Sequence, residues 1–206
     1  MSQPQSEHFV TVNECVAPED LLRAQMYRLL VRFLSAPPTP GDLRTAAALK
    51  GNDSVLGRTI STFARLAGHA SPAAVREEYY VLFIGLGRGE LVPYGSYYLA
   101  GFLHEKPLAK LRQDMERLGI ARDPEVRDPE DHIASLCEMM AGLIEGRFGA
   151  PLPLAEQRRF FETHLGSWAG YFFRDLEAAQ SSGLYAALGT VGRTFLEIEE
   201  GAFALV

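Results

Sequence analysis

The chain has 206 residues, 47% of them hydrophobic and 22% charged, with a formal net charge of -6. That is enough for one sizeable core and a single domain, and the acidic balance argues against a sequence-independent binder of nucleic-acid phosphates and for a basic partner. Its two cysteines, Cys15 and Cys137, fall in no Cys-x-x-Cys or Cys/His ligand spacing, so no disulfide framework, zinc site or other metal or cofactor is expected.

Residues 1–17 read as a loose arm. Met1 to Glu7 carries neither the basic nor the apolar stretch of a signal peptide, and Phe9-Val10-Thr11-Val12 is too short and isolated to form a sheet. No later apolar run reaches the roughly 18 residues of a spanning helix, so a cytoplasmic protein without stable membrane insertion is expected. Residues 18–206 read as one all-helical domain. The first helix starts near Pro18, with Leu22, Met26, Leu29, Leu30 and Phe33 at three- and four-residue steps and Arg23, Arg28 and Arg32 elsewhere on the wheel. Pro37, Pro38 and Pro40 stop it. Short helices follow over 42–50 and 55–67, joined by the capping and turn residues Gly51-Asn52-Asp53-Ser54. Ser71-Pro72 opens the next, whose apolar face is Val75, Tyr79, Leu82 and Phe83 and whose stop is Gly85. Two pieces over 99–118 divide at Pro107.

The best-marked helix runs over 128–147, with Asp128 as cap, Pro129 in the first turn, Asp131 as the capping-box acid, and Ile133, Leu136, Cys137, Met140, Leu143 and Ile144 on its apolar face. Helices over 160–179 and 184–200 complete the series, the last with Leu184, Leu188, Val191, Phe195 and Ile198 on one side. Sustained period-two alternation is absent, so the predicted class is all-α, a compact helical bundle.

The least ordinary stretch is Glu77 to Leu99, where tyrosines and phenylalanine surround Gly85, Gly87 and Gly89 and Pro93-Tyr94-Gly95-Ser96-Tyr97-Tyr98 restarts a short element. Its glycines follow a helix pattern and precede no Gly-Lys-Ser/Thr, which fits a turn needing positive φ and not a phosphate loop. With the second unusual run, Asp128-Pro129-Glu130-Asp131-His132, it is expected to form one protein-binding surface.

On these residues the chain resembles the TorD/DmsD/NarJ-like family of redox-enzyme maturation chaperones, TorD-like branch. Tyr79 to Gly85 matches Tyr-x-x-Leu-Phe-x-Gly, Pro93-Tyr94-Gly95-Ser96-Tyr97 matches Pro-aromatic-x-Ser-x-Tyr, and Asp128 to His132 matches Glu-Pro-x-Asp-His with aspartate in the first place. The basic residue that often follows the second motif is replaced by uncharged Leu99-Ala100-Gly101-Phe102. The resemblance covers about Leu21 to Glu200. It implies a TorD-like helical fold and a non-enzymatic chaperone that binds the catalytic subunit of a molybdopterin oxidoreductase, through its twin-arginine signal peptide or its apo form, until the cofactor is inserted. It places Asp131, His132, Pro93, Tyr94 and Ser96 in the leader-binding region, and allows a monomer or a helix-exchanged dimer. The segment from Gly85 to Leu99 is similar to members that serve formate dehydrogenases.

A twin-arginine leader needs fixed carboxylates beside an apolar groove. Asp131, Glu138 and Glu145 fall at seven-residue steps and so form nearly one line on a helix, while Tyr79, Tyr80, Tyr94, Tyr97 and Tyr98 supply aromatic faces. The alternatives are a capping Asp131, a helix-start His132, a solvated acid line and tyrosines spent in the core. Trp168 with Phe160, Phe161, Phe172 and Phe173 reads as packing, and His104 and His164 as structural. A hydrolase using Ser96 and His132 is the enzymatic alternative, although adjacent Asp131 and His132 point apart on a helix and do not orient one another. The third reading is a self-associating helical scaffold.

Overall fold

Proline marks the start of four helices, because its fixed φ suits the first turn and its missing N–H is not needed there. Pro18 opens α1 (Pro18–Leu34), Pro40 opens α2 (Pro40–Ala47), Pro72 opens α4 (Pro72–Tyr79), and Pro107 lies in the first turn of α6 (Lys106–Arg117). The others are α3 (Val55–His69), α5 (Gly95–Ala100), α7 (Ile133–Glu145), α8 (Leu154–Phe161), α9 (Ala169–Ala178) and α10 (Leu184–Phe203). This computed structural model describes residues 16–122 and 128–205. The arm expected over residues 1–17 falls outside the described residues as far as position 15. Among the described residues there is no strand, only an isolated antiparallel bridge between Tyr94 and His132, so the all-α expectation is borne out.

The fold is wrapped around α7. Of its residues only Ser135, Glu138 and Glu145 are not buried, and a helix that is apolar almost all round has to lie inside. α1 lies along α7, α9 along α10, and α3 covers another side of α10. Trp168, Phe160, Phe161, Phe172 and Phe173 are all buried, as their reading as packing requires.

Two positions depart from the predicted stripes. Leu22 and Ile198, expected to face inward, are exposed, whereas Tyr27 and the charged Glu199 are buried. The reason is a polar match across α1 and α10. Glu199, 2% exposed, accepts from Arg23 Nε at 2.7 Å, Arg23 Nη2 at 2.9 Å and the Tyr27 hydroxyl at 2.9 Å. Apolar periodicity cannot anticipate a face set by a buried ion pair.

The segment expected as one helix over 160–179 is interrupted by a π-helical turn at Glu162–Gly166 and by Trp168, whose φ of -145° breaks the spiral before α9. A second π-helical turn, Tyr80–Ile84, ends α4's extension at Gly85, whose φ of +60° only glycine adopts freely. Two carboxylates then tie this aromatic segment to the start of α10. Glu78 accepts from the N–H groups of Gly183, Leu184 and Tyr185 at 2.6, 3.2 and 2.8 Å, and Glu90 accepts from Gln180 N at 2.8 Å. The first orphan donors of the longest helix are thereby satisfied by a distant part of the chain.

Glu199→Ala leaves Arg23 charged and half-buried and the Tyr27 hydroxyl without its acceptor, and is expected to cost about 3–5 kcal/mol in urea-induced unfolding. Replacing Arg23 and Glu199 together by methionine should recover most of that loss. A Glu199→Ala cost under about 1 kcal/mol would contradict the assigned network.

Candidate functional site

The two unusual runs meet. Pro93 to Ser96 crosses Asp131 to Ile133, with Gly95 N donating to the Asp131 carbonyl at 3.0 Å, Ile133 N to the Pro93 carbonyl at 2.9 Å, and Ser96 N to Asp131 Oδ2 at 2.6 Å. Glycine lets position 95 pack closely on the core, because a Cβ there would stand 3.0 Å from Trp168 Nε1. The crossing therefore rests directly on the aromatic core.

The crossing also moves the start of α7. The expected helix from Asp128 begins instead at Ile133, and its cap is His132, whose Nδ1 accepts from Ala134 N at 3.1 Å. Asp131 does not cap its own helix. It braces the first turn of α5, because the segment before Ile133 is extended and pairs with Tyr94. Each residue of the run thus faces a different neighbour. Asp128 is exposed, Pro129 is buried, and Glu130 is held by Arg112 and Arg122, each at 2.9 Å. Burial works to raise the Glu130 carboxyl, but the two guanidiniums pull it below its usual range.

The predicted site residues divide by accessibility. Pro93, Ser96, Asp131 and Tyr79 are buried, Asp131 to 3%. Tyr79 packs against Phe83 and Tyr185 at 5.0 and 6.1 Å and so offers no stacking face outside. Tyr97 already carries the Arg88 guanidinium over its ring at 5.0 Å, and the Tyr98 hydroxyl donates to Asp175 at 2.7 Å. Tyr80 is 46% exposed, and Tyr94 and His132 are half-buried, their rings edge to face at 5.0 Å. The line of Asp131, Glu138 and Glu145 is not three free carboxylates. Asp131 is inside, Glu145 is paired with Arg28, and Glu138, exposed, meets Arg147 at 3.3 Å.

What the spacing missed is Asp128. Expected as a helix cap, it stands on the surface beside the crossing, and its charge is felt at Tyr79, Tyr94 and His132. Burial, helped by Asp128 and Asp131, pushes the Tyr94 phenol up to about 12. Asp128 and Glu138 open onto one groove of about 310 Å3, with Met115, Ile120, Met139 and Phe148 as its apolar surface and with Arg122, paired to Glu130, and Arg147 also in its lining, so that one carboxylate is in excess of the cations. Two carboxylates over an apolar floor suit a chain that alternates guanidinium and apolar groups. Beyond Tyr80, Val81, Ile84 and Leu86 extend an exposed apolar stripe.

Nucleophilic chemistry finds less support. The Ser96 hydroxyl is buried and accepts or donates no hydrogen bond among the described residues, and His132 Nδ1 is engaged by its own helix. A nucleophile bonded to its base is not assembled here.

The family described as Nitrate reductase delta subunit matches residues 50–174, more than half of the chain, from just before α3 into α9. Among individual relatives, the chain is 28% identical over 123 residues to the chaperone protein TorD of Vibrio cholerae, covering 56% of each. It is 31% identical over 127 residues to TorD of Aliivibrio salmonicida, covering 57% of this chain and 58% of that one. It is 32% identical over 116 residues to the "Probable Tat proofreading chaperone DmsD" of Haemophilus influenzae, covering 55% and 54%. The chain thus spans just over half the length of the relatives it matches. A solved structure of an Archaeoglobus fulgidus protein assigned to redox enzyme maturation superposes with a TM-score of 0.55 at 21% identity, over 94% of this chain and 99% of that one, a likeness of fold.

His132 gives the site a pH signature. Burial holds its pKa down to about 4 from an ordinary 6.5, against the opposing charges of Asp128 and Asp131. The unfolded chain therefore takes up this proton at higher pH, and the folded state loses stability as pH falls from 6.5 to about 4. His132→Asn keeps a capping side chain without the titration, so its unfolding free energy should fall less steeply across that window. Equal slopes for the two proteins would contradict the buried, neutral cap.

Proposed function

Because the chain belongs to the nitrate reductase delta subunit family, we propose that it is a maturation chaperone. It acts in the cytoplasm and binds the twin-arginine leader of a molybdopterin oxidoreductase catalytic subunit, or its apo form, before export. It acts by reversible association and performs no chemistry of its own. The observation that carries this is the groove between Asp128 and Glu138. The two adjacent guanidiniums of the leader pair with the carboxylates of Asp128 and Glu138, while the apolar residues after the arginine pair lie on Met115, Ile120 and Met139. Tyr94, His132 and Tyr80 edge the groove's Asp128 end as aromatic surfaces. Pro93, Ser96, Asp131 and Tyr79 hold that edge in place from beneath.

The Arg147 to Glu138 contact does not oppose binding strongly. Exposed pairs of this kind are worth roughly 0–1 kcal/mol, so an incoming arginine exchanges with Arg147 at little cost. Within the client class, formate dehydrogenase is the preferred candidate, on the likeness of the segment from Gly85 to Leu99.

A peptide carrying Ser-Arg-Arg-x-Phe-Leu-Lys tests the assignment by titration calorimetry. Asp128→Asn and Glu138→Gln are each expected to weaken binding roughly three- to ten-fold, with the effect shrinking as salt rises. Replacing both arginines of the peptide by lysine should weaken it in the wild-type chain. Unchanged affinity in the Asp128→Asn, Glu138→Gln double variant would remove this groove from the site. A leader from a formate dehydrogenase is expected to bind more tightly than one from another molybdopterin oxidoreductase, and equal affinities would remove the client preference alone.

A further inference from the structure

On the opposite side of the crossing lies a second cavity, of about 240 Å3, between α5, α6, α7 and the π-helical turn at Glu162–Gly166. Leu99, Pro107, Leu111, Leu136 and Trp168 make its walls apolar. Asp131 forms part of the lining, and of its two carboxylate oxygens only Oδ2 is used, by Ser96 N. Oδ1 is buried and accepts no hydrogen bond among the described residues. A buried carboxylate oxygen without a donor is costly, and because Asp131 borders the cavity, an N–H or O–H that enters there and reaches Oδ1 would relieve that cost. Lys106 and Lys110, one turn apart on α6, are part of the lining too and are exposed. The ion pairs made from α6 use Arg112, Asp114 and Arg117, not either lysine.

Resting on the client-binding reading above, we propose that this cavity is a second recognition pocket, one that takes a single tyrosine side chain from an acidic segment of the client. Size points to one side chain, since whole small-molecule sites begin at about 300 Å3. Apolar walls that include Trp168 suit an aromatic ring. The unused Oδ1 accepts a hydrogen bond from the phenolic hydroxyl. Two lysines at the rim repel a guanidinium or ammonium and attract carboxylates on the residues flanking the tyrosine. The chain then holds its client at two points of opposite character, a basic segment in the acidic groove and an acidic, tyrosine-bearing segment here. Two linked contacts raise the affinity for one client molecule beyond either alone.

Trp168 is the only tryptophan of the chain and lines the cavity, so its fluorescence reports occupancy directly. The probe is a capped Glu-Tyr-Glu peptide, compared with Glu-Phe-Glu and Lys-Tyr-Lys, with excitation confined to tryptophan. The tyrosine peptide should perturb Trp168 and bind roughly ten-fold or more tightly than its phenylalanine counterpart, with the lysine-flanked peptide weakest. Asp131→Asn can still accept from Ser96 N but replaces the charged acceptor by a neutral amide, so it should reduce the preference for tyrosine over phenylalanine several-fold. If that variant does not fold, the surface double variant Lys106→Gln, Lys110→Gln carries the test. It should abolish the preference for glutamate over lysine flanks and leave binding of the twin-arginine peptide unchanged. A wild-type chain that binds the twin-arginine peptide but shows no Trp168 response to Glu-Tyr-Glu, or equal affinity for Glu-Phe-Glu, overturns the second pocket alone. Failure to bind either peptide overturns both it and the client-binding reading.

Discussion

Three hydrogen bonds hold the candidate site together, those from Gly95 N, Ile133 N and Ser96 N across the junction of two segments distant in sequence. Their combined effect is to stop α7 at Ile133 and α5 at Gly95, so that two extended stretches lie back to back instead of two helix ends. An isolated pair of strands of this size has no stability in water. It persists here because Trp168 closes against Gly95 and because Ile133 and the residues after it belong to the most buried helix of the fold. Without the junction, Asp131 would be a buried charge with no partner, a far larger penalty than the loss of one cap.

That junction lies between two cavities of different lining. Outward stand Asp128 and Glu138 over methionine, isoleucine and phenylalanine side chains, with tyrosine and histidine rings at the edge. The other cavity has two lysines in a mostly apolar lining that Asp131, Thr163 and His164 also reach. The same residue, Asp131, serves both, with one oxygen spanning to the backbone of α5 and the other turned away from it. A binding protein gains from such an arrangement because a rigid brace positions contacts on either side without moving when one is occupied. The latch of Glu78 and Glu90 on the start of α10 fixes the remaining flank, so the exposed stripe of Val81, Ile84 and Leu86 is presented from a held segment.

Much of this could be read from residues alone. Proline positions marked four helix starts, apolar spacing found the buried face of α7, and the three motifs pointed to the family to which the chain belongs and to two segments that meet in the fold. What stayed illegible has a common cause, the replacement of local preferences by distant partners. Asp128-Pro129 is a good helix opening by local rules, and loses to the pairing of Tyr94 with His132. Ile198 belongs to an apolar stripe by periodicity, and loses to the bonds that Glu199 makes with Arg23 and Tyr27. Asp131 and Tyr79 look like exposed residues from their motifs and are buried, because burial depends on what packs over them and not on spacing. Lys106 and Lys110 carried no signal at all, since only the folded chain brings them to the rim beside Asp131.

Residue-resolved amide exchange, with and without the twin-arginine peptide, tests the central claim most directly. The amides of Gly95, Ser96 and Ile133 should exchange slowly in the free chain, and peptide binding should slow them further together with Tyr94 and Ala134 while the far end of α10 is unaffected. Rapid exchange at Gly95, Ser96 and Ile133, or protection that appears only at a distance from them, would contradict a site built on this junction.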